Sequence, residues 1–147
     1  MISTRHTHCA AAALTLVAAG CSSSTTAAAK LSLTEYTIAV TAPSVKAGKV
    51  TISASNVGGG KHEVVLLAAS DLKGFATRDD GSLDEDKIAE AQKMGEVGEI
   101  EIGKSGSKSF DLKAGTYTVV CNLVDKNADG SVTSHYAKGM VATFVVR

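Results

Sequence analysis

From residue 31 onward the sequence is broken into short apolar stretches with turn residues between them, and that punctuation limits the fold more than any other feature. Within 31–40, Tyr36, Ile38 and Val40 alternate with Thr37 and Ala39, the period-two pattern of a half-buried strand. Pro43 and Gly48 mark a turn, 49–56 alternates again through Val50 and Ile52, and Gly58, Gly59 and Gly60 interrupt the chain before a strand over 62–69. Further strands are predicted at 97–102, 108–112, 116–122 and 140–146, the last with Ala142, Phe144 and Val146 opposed to Val141, Thr143 and Val145. About seven short strands joined by turns predict an all-β protein, a Greek-key β-sandwich.

One insertion between strands reads differently. SLDEDKIAEAQKMG, residues 82–95, places Ser82 three residues before Glu85 as in a capping box, and it closes on Gly95, so one short helix is predicted there. The acidic residues 84–86 fall in its first turn, where they complement the helix dipole, and are read as a solvated face rather than a metal cluster. Met94 is expected to pack from that helix. With 147 residues, 44% of them hydrophobic, there is room for one core and no sign of a repeat or a second domain.

The first twenty residues read as an export signal: Arg5 in a polar start, then the apolar run CAAAALTLVAAG. That run is too short to span a bilayer permanently. It ends in AAGC and the polar stretch SSSTTAAA, which resembles a bacterial lipoprotein signal with Cys21 as the lipidated residue, although Ala18 stands where leucine is usual. The expected organisation is a signal peptide over 1–20, a lipidated Cys21 and flexible tether over 21–30, and a folded domain over 31–147. The expected location is the outer face of the cell membrane or the periplasm.

Loss of the leader removes Arg5 and leaves 14 basic residues against 15 acidic ones, a formal charge of −1. Scattered charges that nearly cancel carry no nucleic-acid footprint and give no long-range steering, so a partner would have to recognise a local patch. The remaining chain holds two histidines, His62 and His135, two methionines, Met94 and Met140, and beyond Cys21 a single cysteine, Cys121. An unpaired thiol outside the cytoplasm calls for a reason: a partner chain, burial or a metal.

Three stretches hold the chemistry. NVGGGKH brings His62 to the start of a strand, TYTVVC delivers Cys121 at the end of another, and HYAKGM places Met140 five residues after His135, where the final strand begins. Two imidazoles, a thiolate and a weak thioether form a donor set that serves both copper(II) and copper(I), so little rearrangement accompanies a change of oxidation state. These stretches resemble the first-histidine region, the cysteine strand and the His-x4-Met loop of the plastocyanin- and azurin-like blue copper proteins, the cupredoxins. The resemblance implies one type 1 copper ion held by His62, Cys121, His135 and Met140, with Tyr117 and Val119 as packing residues on the strand leading to Cys121. It departs from the family in two places. Thirteen residues, 122–134, separate Cys121 from His135 where those families have only a few, and Glu63 follows the first histidine where asparagine is typical, which leaves Asn56 or Asn122 to support the cysteine loop.

Other readings of the same residues compete. DKNADGS carries Asp125, Asn127, Asp129 and Gly130 at EF-hand spacing, yet Tyr136 stands where the last glutamate belongs, and these residue types also make ordinary turns. Structural zinc wants four strong ligands, which a thioether is not. No nucleophile elbow, HExxH motif or second copper cluster marks an enzyme. The resemblance therefore implies a monomeric single-electron carrier, not an enzyme, with His135 as the path to a redox partner protein and the lipid anchor holding it to the membrane. A copper binding or delivery protein that meets a copper-handling partner is the first alternative, and a metal-free interaction module of the same fold is the second.

Overall fold

The computed structural model describes residues 27–147; the signal peptide, Cys21 and the tether as far as residue 26 lie outside the described residues. In chain order the strands are β1 (Ala27–Thr34), β2 (Thr37–Val40), β3 (Ser44–Val45), β4 (Gly48–Asn56), β5 (His62–Leu67), β6 (Lys93–Ile100), β7 (Ser105–Leu112), β8 (Gly115–Val120), β9 (Val124–Lys126), β10 (Val132–Ser134) and β11 (Val141–Val146). Two sheets form a sandwich, one in the order β2-β1-β4-β7 and the other β3-β11-β8-β5-β6, while β9 and β10 make a separate hairpin. The pairs β1 with β4 and β3 with β11 are parallel and the others antiparallel.

Alternation along the strands builds the core. Leu31 and Leu33 of β1 and Val50 and Ile52 of β4 turn inward against Val64, Leu66, Val119 and Phe144 of the facing sheet. Tyr117 stacks on Phe144 in the same core and donates its hydroxyl to the Lys113 carbonyl, so Tyr117 and Val119 pack as expected. The runs VVLL in β5 and TVV in β8 lack polar alternation because both faces are covered: Val65, Leu67 and Val120 form a second apolar cluster with Leu72, Leu83 and Ile88.

Three expectations are corrected. Residues 31–40 are not one strand but a hairpin, turning at Glu35 and Tyr36 with Tyr36 at φ 58°, a left-handed conformation that no glycine or asparagine signals in the sequence. Residues 27–30, expected in the flexible tether, extend β1 along β4, and Ala29 is buried; ladder pairing overrides the weak strand preference of an alanine run.

The helix predicted over 82–95 is replaced by two single 3-10 turns, Glu85–Lys87 and Glu90–Gln92, followed directly by β6. No capping box forms, since the Ser82 hydroxyl donates to Asp80 (2.6 Å). Both backbone polar groups of Leu83 are instead claimed by Asn122, whose Oδ1 accepts its N–H (2.6 Å) and whose Nδ2 donates to its carbonyl (3.1 Å), so they are withdrawn from a helical ladder. Met94 accordingly packs against the core from a strand.

Candidate metal centre

The antiparallel pairing of β5 with β8 fixes one end of the site. Its register, Val65 opposite Val120, brings the start of β5, where His62 stands, beside Cys121 just past the end of β8. The chain then leaves through the β9–β10 hairpin and returns at His135, whose N–H donates to the Leu123 carbonyl (2.9 Å). A tight turn follows, and Met140 donates to the His135 carbonyl (3.0 Å) while its own carbonyl accepts the Cys121 N–H (3.1 Å). All four residues predicted as ligands therefore lie at one end of the sandwich. They are buried: His62 and His135 are 1% exposed, Cys121 and Met140 0%.

Three donor atoms meet at one point. His62 Nδ1 and His135 Nδ1 are 3.3 Å apart, and Cys121 Sγ is 3.2 Å from His135 Nδ1. Candidate donor atoms of these three residues all lie within 4.8 Å of one another. Two nitrogens bound at about 2 Å to one ion at a near-tetrahedral angle are themselves about 3.3 Å apart. Burial pushes the Cys121 thiol up to about 11, and burial first, then the neighbouring His135, holds His62 below the usual imidazole range.

Proton accounting tests whether the group fits a cation. His135 Nε2 lies 2.8 Å from Asp125 Oδ2, and a carboxylate only accepts, so Nε2 carries the proton and Nδ1 presents a lone pair. If His62 is protonated on Nδ1, it competes with the Cys121 thiol for that lone pair. If it is protonated on Nε2, two lone pairs face each other at 3.3 Å. His62 Nε2 is also the one buried side-chain N or O atom among the described residues without a partner. A soft or borderline cation between the three donors removes the conflict among the two Nδ1 atoms and the thiol, because each then directs a lone pair inward, and it leaves the Nε2–H of His62 unpaired.

Residues around these three hold them in place. The Glu63 N–H donates to Cys121 Sγ (3.3 Å) and the Glu63 carboxylate accepts the Asn122 N–H (2.9 Å), so Glu63 supports the cysteine itself and does not join the donor group. Asn56 ties the glycine loop ahead of His62, its Nδ2 donating to the Gly60 and Ile100 carbonyls (2.8 and 2.9 Å) and its Oδ1 accepting the Gly58 N–H (3.0 Å). From the β1–β2 turn, Glu35 accepts the N–H groups of Gly59 and Gly60, and Tyr36 meets the His135 ring edge-on with centroids 5.4 Å apart. The Gly59 N–H is the main reason the Glu35 carboxyl sits below its ordinary range.

Sequence reasoning missed Glu35, Tyr36 and Asp125. The first two lie inside what reads as an unbroken strand, and Asp125 lies in the calcium-like motif. That motif is an ordinary hairpin turn: Asp129 accepts from the N–H and hydroxyl of Ser131, Asn127 donates to Ser131 and Thr133, and Asp125 is bonded to His135. His135, expected to be the path to a redox partner protein, has its outer nitrogen covered by this hairpin.

The sequence matches no protein-family profile and no curated protein. Solved structures share its architecture. A dithionite-reduced auracyanin from the photosynthetic bacterium Roseiflexus castenholzii is 17% identical over 82% of this chain and 96% of that one, with a TM-score of 0.56. Auracyanin A, a "blue" copper protein from Chloroflexus aurantiacus, is 18% identical over 82% and 99%, with a TM-score of 0.55. This chain has the blue copper protein fold. Rusticyanin from Thiobacillus ferrooxidans shares that blue copper fold at 16% identity over 82% and 77%, with a TM-score of 0.51. Within the blue copper fold of this chain, the buried His-Cys-His group lies where β5, β8 and the loop before β11 come together.

Proposed function

We propose that this protein is an extracytoplasmic, mononuclear type 1 copper protein that carries single electrons, with His62 Nδ1, His135 Nδ1, Cys121 Sγ and Met140 as the ligands. The observation that carries the reading is the convergence of two buried imidazole Nδ1 atoms and one buried thiol sulfur, with the far side of one imidazole already bonded to a carboxylate. The donor set supplies the chemistry: bound copper would exchange one electron between Cu(II) and Cu(I) in a site built to suit both. His62, Cys121 and His135 approach from three stretches of a rigid sandwich, which limits reorganisation when the charge changes. Export and lipidation at Cys21 rest on the leader sequence, and a monomer meeting a redox partner protein is part of the same proposal.

One observation favours a second reading, copper binding and delivery. The outer edge of His135 is closed by the hairpin, so a partner does not meet a bare imidazole.

Copper reconstitution of the chain without its leader tests both. One equivalent of Cu(II) is expected to bind and give the intense visible thiolate-to-copper absorption, which Cys121→Ser removes. Reversible one-electron voltammetry and turnover with a reductase or oxidase support the carrier; tight Cu(I) binding and transfer without turnover support delivery. A band that survives Cys121→Ser sinks the ligand assignment, and failure to take up copper leaves the fold as a metal-free interaction module.

A further inference from the structure

The β9–β10 hairpin fills most of the stretch between Cys121 and His135, and it does something specific. Its pairing, Asp125 with Thr133 and Val124 with Ser134, ends one residue before His135. Asp125, opposite Thr133, thereby stands two ladder positions away from His135, and its Oδ2 reaches diagonally to His135 Nε2 at 2.8 Å. The hairpin tip is held apart from the site by its own bonds from Asn127 and Ser131. Tyr36 also meets the His135 ring edge-on.

We propose that Asp125 is a positioning residue: by accepting the Nε2–H of His135 it fixes the tautomer that turns Nδ1 inward, and its negative charge biases the centre toward the more highly charged oxidation state of the metal. The second half rests on the copper reading above; the first half does not. A carboxylate bonded to the far nitrogen of a ligating histidine fixes the ring and makes the near nitrogen a stronger donor. A stronger donor and a nearby negative charge both favour Cu(II) over Cu(I), so the reduction potential falls. The Asp125 side chain is 53% exposed, so water screens its charge and the effect sits at the lower end of the range for such contacts.

The test uses Asp125→Asn, which keeps an acceptor but loses the charge, and Asp125→Ala, which loses both. In the metal-free protein, imidazole nitrogen NMR is expected to show His135 protonated on Nε2 in the wild type and in Asp125→Asn, and as a mixture of tautomers in Asp125→Ala. In the copper protein, Asp125→Asn is expected to lower the preference for Cu(II) over Cu(I) about tenfold, raising the potential by about 59 mV, with the visible band retained. Asp125→Ala is expected to raise it at least as far. A wild-type His135 protonated on Nδ1, tautomers indifferent to Asp125→Ala, or a potential unmoved in both variants overturns the proposal. If the wild type takes up no copper, the copper reading falls, and the tautomer measurement alone decides whether Asp125 sets His135.

Discussion

Glu63 holds Cys121 from the neighbouring strand: its backbone N–H donates to the cysteine sulfur at 3.3 Å, while its side chain accepts the N–H of the residue after that cysteine at 2.9 Å. An amide N–H aimed at a sulfur stabilises thiolate character and fixes where the sulfur points. The carboxylate adds a second tie between the same two strand ends, past the last ladder pair of β5 and β8. Its surroundings are unfavourable to its charge. Burial above all pushes the Glu63 carboxyl up to about 7, with the Asn122 N–H opposing and Glu85 adding to the rise.

That displacement predicts a pH dependence for the metal-free protein. The folded form keeps a proton on Glu63 that the unfolded chain releases near its ordinary value of 4.5, so the stabilisation is complete below 4.5 and is lost as pH rises to about 7. His62, depressed by burial, contributes a slope of opposite sign but is common to the wild type and Glu63→Gln. Urea midpoints of the two proteins are therefore expected to draw apart between pH 4.5 and about 7, the variant gaining relative to wild type as pH rises. Parallel curves through that window would show that the carboxyl is not displaced.

Asn122 predicts a local instability. Its side chain satisfies both backbone groups of buried Leu83 and also donates to Glu85 Oε1 (2.7 Å), fastening the segment between β5 and β6 over the outer face of the sheet. Asn122→Ala leaves a buried N–H and C=O unpaired, at a cost of about 1–3 kcal/mol for each group that water cannot reach. Hydrogen exchange is expected to accelerate at Leu83 and Ile88 while β1 and β4 keep their protection. Uniform acceleration across both sheets would mean that Asn122 supports the whole fold rather than this segment.

Much of this arrangement is legible in the sequence because strands and their ends are local signals. Alternation locates β4 and β11, and the scarcity of histidine and cysteine draws attention to His62, Cys121 and His135 before any geometry is known. What escapes detection depends on long-range pairing. Ala27 to Lys30 form a strand only because β4 lies beside them, and Leu83 abandons a helix only because Asn122 claims its backbone. The turn at Glu35 and Tyr36 is hidden because tyrosine rarely adopts a positive φ, here 58°. Asp125 resembles any turn aspartate until the hairpin is folded against His135.

Met140 is expected to tune the centre more than to hold it. It is fully buried and its backbone bonds to both Cys121 and His135. Met140→Leu conserves volume and should cost less than about 1.5 kcal/mol of stability. Replacing a weak sulfur donor by hydrocarbon disfavours the more highly charged Cu(II), so the reduction potential should rise while copper stoichiometry and the visible band persist. Voltammetry showing an unchanged potential would place the thioether outside the coordination sphere.

Gly58 gives the sharpest steric prediction. An added Cβ would stand 2.8 Å from Glu35 Oε1, 3.1 Å from His62 Nε2 and 3.1 Å from the Thr34 Cα. The Glu35 oxygen cannot retreat freely, since it accepts the N–H groups of Gly59 and Gly60, and the Thr34 contact is to backbone. Gly58→Ala should therefore displace either the β1–β2 turn or the His62 ring, costing about 1–3 kcal/mol as overpacking does. Displacing the ring moves Nδ1 away from its 3.3 Å approach to His135 Nδ1, so copper affinity should fall at least about tenfold. Gly60→Ala is the control, because a Cβ there meets nothing within 4 Å and should leave stability and affinity close to wild type. Equal losses in both variants would trace the effect to the glycine loop's flexibility, whereas a loss confined to Gly58→Ala ties it to the contact with His62 and Glu35.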